Sequence, residues 1–94
     1  MDKSSASHGE QMFRTELTSL LAASGAFEFC DHDLVVGFVE QQELVALSSL
    51  SLDSLGLMEL CIAVEDRWSV EMSPEQISAL SSVNELARYI WARI

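Results

Sequence analysis

Cys30, Asp31, His32 and Asp33 form one unbroken run, and all four side-chain types coordinate metal ions. A structural zinc site needs four ligands at suitable spacing, and the remaining candidates do not supply them: His8 lies in a Ser-rich segment and Cys61 falls on an apolar face. An EF-hand fails as well. Val35 and Val36 stand where acidic or amide ligands and the required Gly belong, and no Glu closes the loop. No metal site is expected. Ser54 is the other candidate, a hydroxyl directly after Asp53 at the head of a helical pattern. A hydrolase nucleophile there would need a G-x-S-x-G elbow and a suitably placed His, and only His8 and His32 exist. No Gly-rich phosphate loop is present and no catalytic residue is expected. On the residues alone, Ser54 is either a hydroxyl open to modification or an ordinary first-turn serine beside an Asp cap.

The elements that must position these residues read as helices. A chain of 94 residues, 49% apolar and 21% charged, has globular composition and the length of one domain. Residues 1–9, Ser-rich and without apolar periodicity, read as a flexible tail, and 10–94 as the single domain. Phe13, Leu17, Leu20 and Leu21 recur at helical spacing, which predicts a helix over 10–23 with Gly25 as its stop. Residues 24–52 read as a long, partly buried connection. Within it Ala26-Phe27-Glu28-Phe29 alternates like a strand, Leu34 to Val39 is a continuous apolar run with no partner strand, and a short helix is expected near 40–47. Asp53 caps a helix over 54–68 that tolerates Gly56 at a cost of about 1 kcal/mol relative to Ala. Ser73-Pro74-Glu75-Gln76 is a capping-box start for a short helix. Ser82 to Glu85 repeats the device before a last helix whose Val83, Leu86, Ile90 and Ile94 make one stripe. The expected fold is all-α, a small antiparallel four-helix bundle with a long first loop and a short third helix.

Charge is unevenly placed. Fifteen acidic residues face five Lys and Arg, for a formal charge of -10. Residues 15–66 hold ten of those acids and no Lys or Arg, so the whole imbalance lies in the middle of the chain. That sign excludes nucleic acid and anionic membrane surfaces as partners, since both are bound through cations. Two cysteines are too few for a disulfide framework, and the first ten residues carry no apolar stretch of signal-peptide length, so a reducing cytoplasm is expected. No run is long enough to span a bilayer.

Turning the 54–68 helix by 100° per residue separates two apolar arcs. Leu57, Leu60, Cys61, Val64 and Trp68 form the core face, where Cys61 acts as a small hydrophobe. Met58 and Ile62, flanked by Glu59, Glu65 and Asp66, form the other, which either packs under the connection or meets a partner with a basic rim.

The run LSLDSLGLMEL at the head of this helix resembles the acyl and peptidyl carrier proteins, four-helix bundles modified with 4'-phosphopantetheine. The family's Asp-Ser-Leu attachment motif is Asp53-Ser54-Leu55 here, and Met58-Glu59-Leu60 matches its apolar-Glu-Leu continuation. The likeness runs on through CIAVEDRWSVEMS to the Ser82-Val83 start of the last helix, covering roughly the second half of the chain. The motif tripeptide by itself is weak and its context is strong. Gly56 departs from the pattern, standing where fatty-acid carriers commonly have an acidic residue, and the first loop is longer than in many members.

The resemblance implies that Ser54 carries a covalent 4'-phosphopantetheine, with Asp53 and Leu55 completing its motif, and that Met58, Glu59, Ile62, Glu65 and Asp66 meet partner enzymes. Those partners would be a phosphopantetheinyl transferase and an acyl-loading or adenylating enzyme, ketosynthase or acyltransferase. The chain itself would be a stand-alone acyl carrier, not an enzyme, expected to be monomeric and to hold acyl or aminoacyl groups as thioesters. Fatty-acid, polyketide and related secondary-metabolite assembly are all open, and the two departures favour a specialised carrier over the housekeeping one. The alternative is an acidic helical protein-interaction module without a covalent cofactor.

Overall fold

The computed structural model describes residues 8–41 and 43–94. The tail expected over 1–9 lies outside the described residues for positions 1–7, while His8 and Gly9 begin the first helix, α1 (His8–Ala23). Four more helices follow: α2 (His32–Val39), α3 (Ser54–Trp68), α4 (Pro74–Ser78) and α5 (Val83–Trp91). The fold is the expected all-α helical bundle. Short 3-10 turns at Phe27–Cys30 and Leu47–Ser49 punctuate the first connection, and the only β-pairing among the described residues is one antiparallel bridge, Ala46 to Ser82.

Local signals account for most helix ends. Gly25, at φ +116°, adopts the backbone that lets the chain leave α1, and the Ala26 N–H reaches back to the Leu21 carbonyl. Asp53, Ser73 and Ser82 cap α3, α4 and α5, each side chain accepting a main-chain N–H three residues on, and Ser73 with Gln76 completes the capping box. Phe13, Leu17 and Leu21 of α1 share the core with Leu60, Cys61 and Val64 of α3, Ile77 of α4, and Val83, Leu86 and Ile90 of α5. The Phe13 ring stands edge-on to Trp68, with centroids 4.8 Å apart.

Two expectations are corrected in the first connection and one in the last helix. The apolar run Leu34 to Val39 is neither strand nor loop but most of α2, and the helix expected near 40–47 lies instead at His32–Val39. Asp31 starts α2 by accepting the Asp33 N–H at 2.9 Å, and Phe38 anchors it, fully buried against Phe29 at 5.8 Å between ring centroids. Buried Arg14 clamps the same helix: its guanidinium donates to the Phe38 carbonyl at 3.2 Å and lies 4.7 Å from the ring centroid. Residues 43–47 are stitched to the α4–α5 link and the head of α5. Val45 accepts from the Val83 N–H (2.8 Å), Leu47 donates to the Ser81 carbonyl (3.1 Å), and the Asn84 amide bonds both the Val45 N–H and the Glu43 carbonyl. Those bonds take up main-chain groups that a helix over 40–47 would have used internally. At the other end, Ile94 drops out of the apolar stripe: α5 closes at Trp91, the Arg93 N–H bonds to Ile90 three residues back, and the tighter turn leaves Ile94 exposed.

Candidate functional site

Ser54 is the first residue of α3 and is exposed, as are Asp53 and Leu55 beside it. The Asp53 carboxylate accepts the Gly56 N–H at 2.8 Å and the Asp53 carbonyl accepts that of Leu57 at 2.9 Å, so the first turn is closed around the serine without using its hydroxyl. The N–H groups of Ser54 and Leu55, first in the helix, have no intrahelical carbonyl to bond and sit at the positive end of the helix dipole. A phosphodiester on the Ser54 oxygen therefore fits: the oxygen is exposed, and the helix start favours an anion.

Gly56 has a steric reason. A Cβ built on it would come within 2.5 Å of the Ser24 carbonyl oxygen, so the head of α3 rests on the end of α1 at a distance that only glycine permits.

From Ser54 an open groove of about 630 Å³ runs between α3 and α4, lined by Leu57, Met58, Pro74, Glu75, Ser78 and Ala79 as well as the serine itself. Leu57 and Ser78 also border a second space of about 470 Å³ that continues past Leu47, Leu52, Ile77 and Leu80. Ser54 thus stands at one end of an open, partly apolar groove.

The two arcs of α3 separate as the spacing predicts. Leu60, Cys61 and Val64 are buried and Leu57 and Trp68 partly so, whereas Leu55, Met58 and Ile62 are 63%, 53% and 64% exposed with Glu59, Glu65 and Asp66 open beside them. Met58 and Ile62 therefore do not pack beneath the connection. Burial pushes the Cys61 thiol up, with Glu75 adding to the shift, which keeps it an unreactive core group. Among the described residues Glu59, Glu65 and Asp66 form no salt bridge, while Arg67, next in the helix, is engaged by Glu16. The acidic charge of this face is left for solvent or a partner.

One member of the surface was missed in the sequence. Phe27, 70% exposed, shares a shallow depression with Leu55, Gly56 and Glu59, extending the apolar patch from α3 onto the first connection. The alternation Phe27-Glu28-Phe29 held the signal, one ring out and one in, although the backbone is a 3-10 turn and not a strand. The Cys30 to Asp33 run has a structural use in the Asp31 cap, and no three His, Cys, Asp or Glu side chains gather into a ligand set among the described residues.

A helical bundle with a serine at the exposed head of an acidic helix is the arrangement that the resemblance to carrier proteins implies. Residues 39–90 match the family described as phosphopantetheine attachment site. The chain is 33% identical over 81 residues to an acyl carrier protein of Streptomyces coelicolor, covering 86% of this chain and 80% of that protein. It is 37% identical over 46 residues to an acyl carrier protein of Clostridium acetobutylicum, with 49% and 60% of the two chains covered. Against an acyl carrier protein of Thermobifida fusca the identity is 32% over 44 residues, 47% and 56% of the chains. No solved structure matches significantly. The chain belongs to the acyl carrier protein family, whose members are carriers rather than enzymes and bear a phosphopantetheine attachment site.

Proposed function

We propose that this protein is a carrier that holds acyl or aminoacyl intermediates as thioesters on a 4'-phosphopantetheine bonded to the Ser54 oxygen, serving fatty-acid, polyketide or related secondary-metabolite assembly. The observation that carries it is the serine itself: exposed, first in a helix of fifteen residues, flanked by Asp53 and Leu55, and lying within the matched family region. When bound, the arm supplies a terminal thiol for the thioester. The chain does the rest by presentation. The helix start steadies the phosphodiester, and the groove between α3 and α4 gives the arm or its cargo partly apolar walls. Leu55, Met58 and Ile62, among Glu59, Glu65 and Asp66, offer partner enzymes an apolar centre with an acidic rim, a surface suited to basic docking sites. The transferase, a loading or adenylating enzyme, and a ketosynthase or acyltransferase would meet the same face in turn, which favours a monomeric shuttle in the cytoplasm. No helix among the described residues is long and apolar enough to cross a membrane.

The test is to incubate the protein with coenzyme A and a broad-specificity phosphopantetheinyl transferase and to read intact mass. The wild type should gain one phosphopantetheine and Ser54→Ala none. No gain overturns the assignment and leaves the acidic interaction module as the reading, and a gain that persists in Ser54→Ala overturns Ser54 as the attachment point.

A further inference from the structure

We propose that Glu28 is a positioning residue for Ser54, acting through a two-point clasp on Ser51; the inference rests on Ser54 as the attachment point. Glu28 sits in the 3-10 turn at Phe27–Cys30, and Ser51 stands three residues before Ser54. The Ser51 main-chain N–H donates to one carboxylate oxygen of Glu28 at 3.1 Å and the Ser51 hydroxyl donates to the other at 2.7 Å. Both oxygens thus bond one residue, 23 positions away in the chain. The clasp holds the carboxyl below its ordinary range, the Ser51 hydroxyl contributing most, so the acceptor is ionised and both bonds are charge-assisted.

Its place gives it a function. Residues 51–53 form no regular structure, lying between the Leu47–Ser49 turn and α3. The first connection holds this stretch at both ends: the Glu28 carboxylate grips Ser51, and the Ser24 carbonyl packs against Gly56. Ser54 lies between those two anchors with its own side chain exposed. Without the clasp, the stretch leading into α3 samples more conformations, and only a fraction of molecules present the serine correctly. A transferase that recognises the ordered form then binds with an apparent affinity reduced by that fraction, while the complex, once formed, reacts as before. Positioning of this kind appears in KM and not in kcat.

Steady-state loading should therefore be measured for Glu28→Ala, Glu28→Gln, Ser51→Ala and the double alanine variant. Glu28→Ala should raise KM for the carrier by roughly three- to tenfold, the scale of one lost hydrogen-bonding group, with kcat unchanged. Glu28→Gln should recover most of the loss, because its amide oxygen accepts the Ser51 N–H and its NH2 can donate to the Ser51 hydroxyl. The double variant should be no worse than Glu28→Ala, and amide exchange over 51–56 should quicken in Glu28→Ala and slow again in Glu28→Gln. A wild-type KM in Glu28→Ala, or no recovery in Glu28→Gln, overturns the positioning role while wild-type loading on Ser54 still stands. A wild type that takes up no phosphopantetheine removes both.

Discussion

The first connection and residues 53–94 both contain helices, and they reach them by different routes. In the second region each helix opens on its own signal, Asp53, Ser73 or Ser82, bonded to an N–H three residues ahead. In the first, α2 has one local cap, Asp31, and Phe29 of the preceding turn against Phe38, and otherwise depends on residues far away: Arg14 on the Phe38 carbonyl and ring, and Asn84 gripping the stretch that follows. The difference teaches a division of labour. The helix that carries Ser54 is locally specified, and the region that mounts it is held by long-range contacts.

The most severe way to break this comparison is Phe38→Ala. Phe38 is fully buried and is the residue on which Arg14 and Phe29 converge, so its loss leaves a cavity and removes a ring from under a buried cation. Chemical denaturation should show a loss of about 3–5 kcal/mol, against about 1 kcal/mol for Ser73→Ala, which removes only a cap. Comparable losses from the two substitutions would mean that α2 does not rely on its distant contacts more than α4 relies on its cap.

Gly56→Ala tests where the two regions touch. Helix propensity alone favours the alanine by about 1 kcal/mol in a helix interior. Contact with the Ser24 carbonyl argues the other way, since the new Cβ would lie 2.5 Å from a main-chain oxygen that no side-chain rotation can move. The steric effect should win, with a net destabilisation of roughly 1–2 kcal/mol by thermal or urea unfolding. A stabilised Gly56→Ala protein would show that the head of α3 lifts freely from α1, and the mounting described here would lose one of its two anchors.

This division also decides what the sequence reveals. Asp53, Ser73-Pro74 and Ser82 are local signals, so α3, α4 and α5 are legible with near-correct starts, and the periodicity of α3 separates the Leu60 face from the Met58 face. The Asp53-Ser54-Leu55 run, on which the resemblance rests, stands out because it is contiguous. By contrast, the β-branched Val35, Val36 and Val39 with Gly37 weigh against a helix by propensity, and it is burial of Phe38 beneath Arg14, 24 residues away, that outweighs them. The Glu28–Ser51 clasp and the Ser24–Gly56 contact leave no trace in spacing, since each joins positions whose residue types have several other uses.

The smallest effect sharpens the comparison most directly, because it is read at a single carboxyl. Glu28 is ionised below its ordinary value of 4.5 by the Ser51 hydroxyl first, then by main-chain N–H bonds from its own residue and from Ser51. A carboxyl whose folded value is depressed contributes its stabilisation in full above the unfolded value and loses it as pH falls through the folded one. The clasp is therefore strongest at neutral pH and weakens in acid, as the carboxyl protonates below pH 4.5. Carbon-detected NMR titration should place the Glu28 midpoint below 4.5 in the wild type and move it upward in Ser51→Ala, where the largest cause is gone. The shift should stop short of the ordinary value, since the main-chain donors remain. An identical midpoint in both proteins would mean that the carboxylate and Ser51 are not joined in solution, and the first connection would then hold the head of α3 through Gly56 alone.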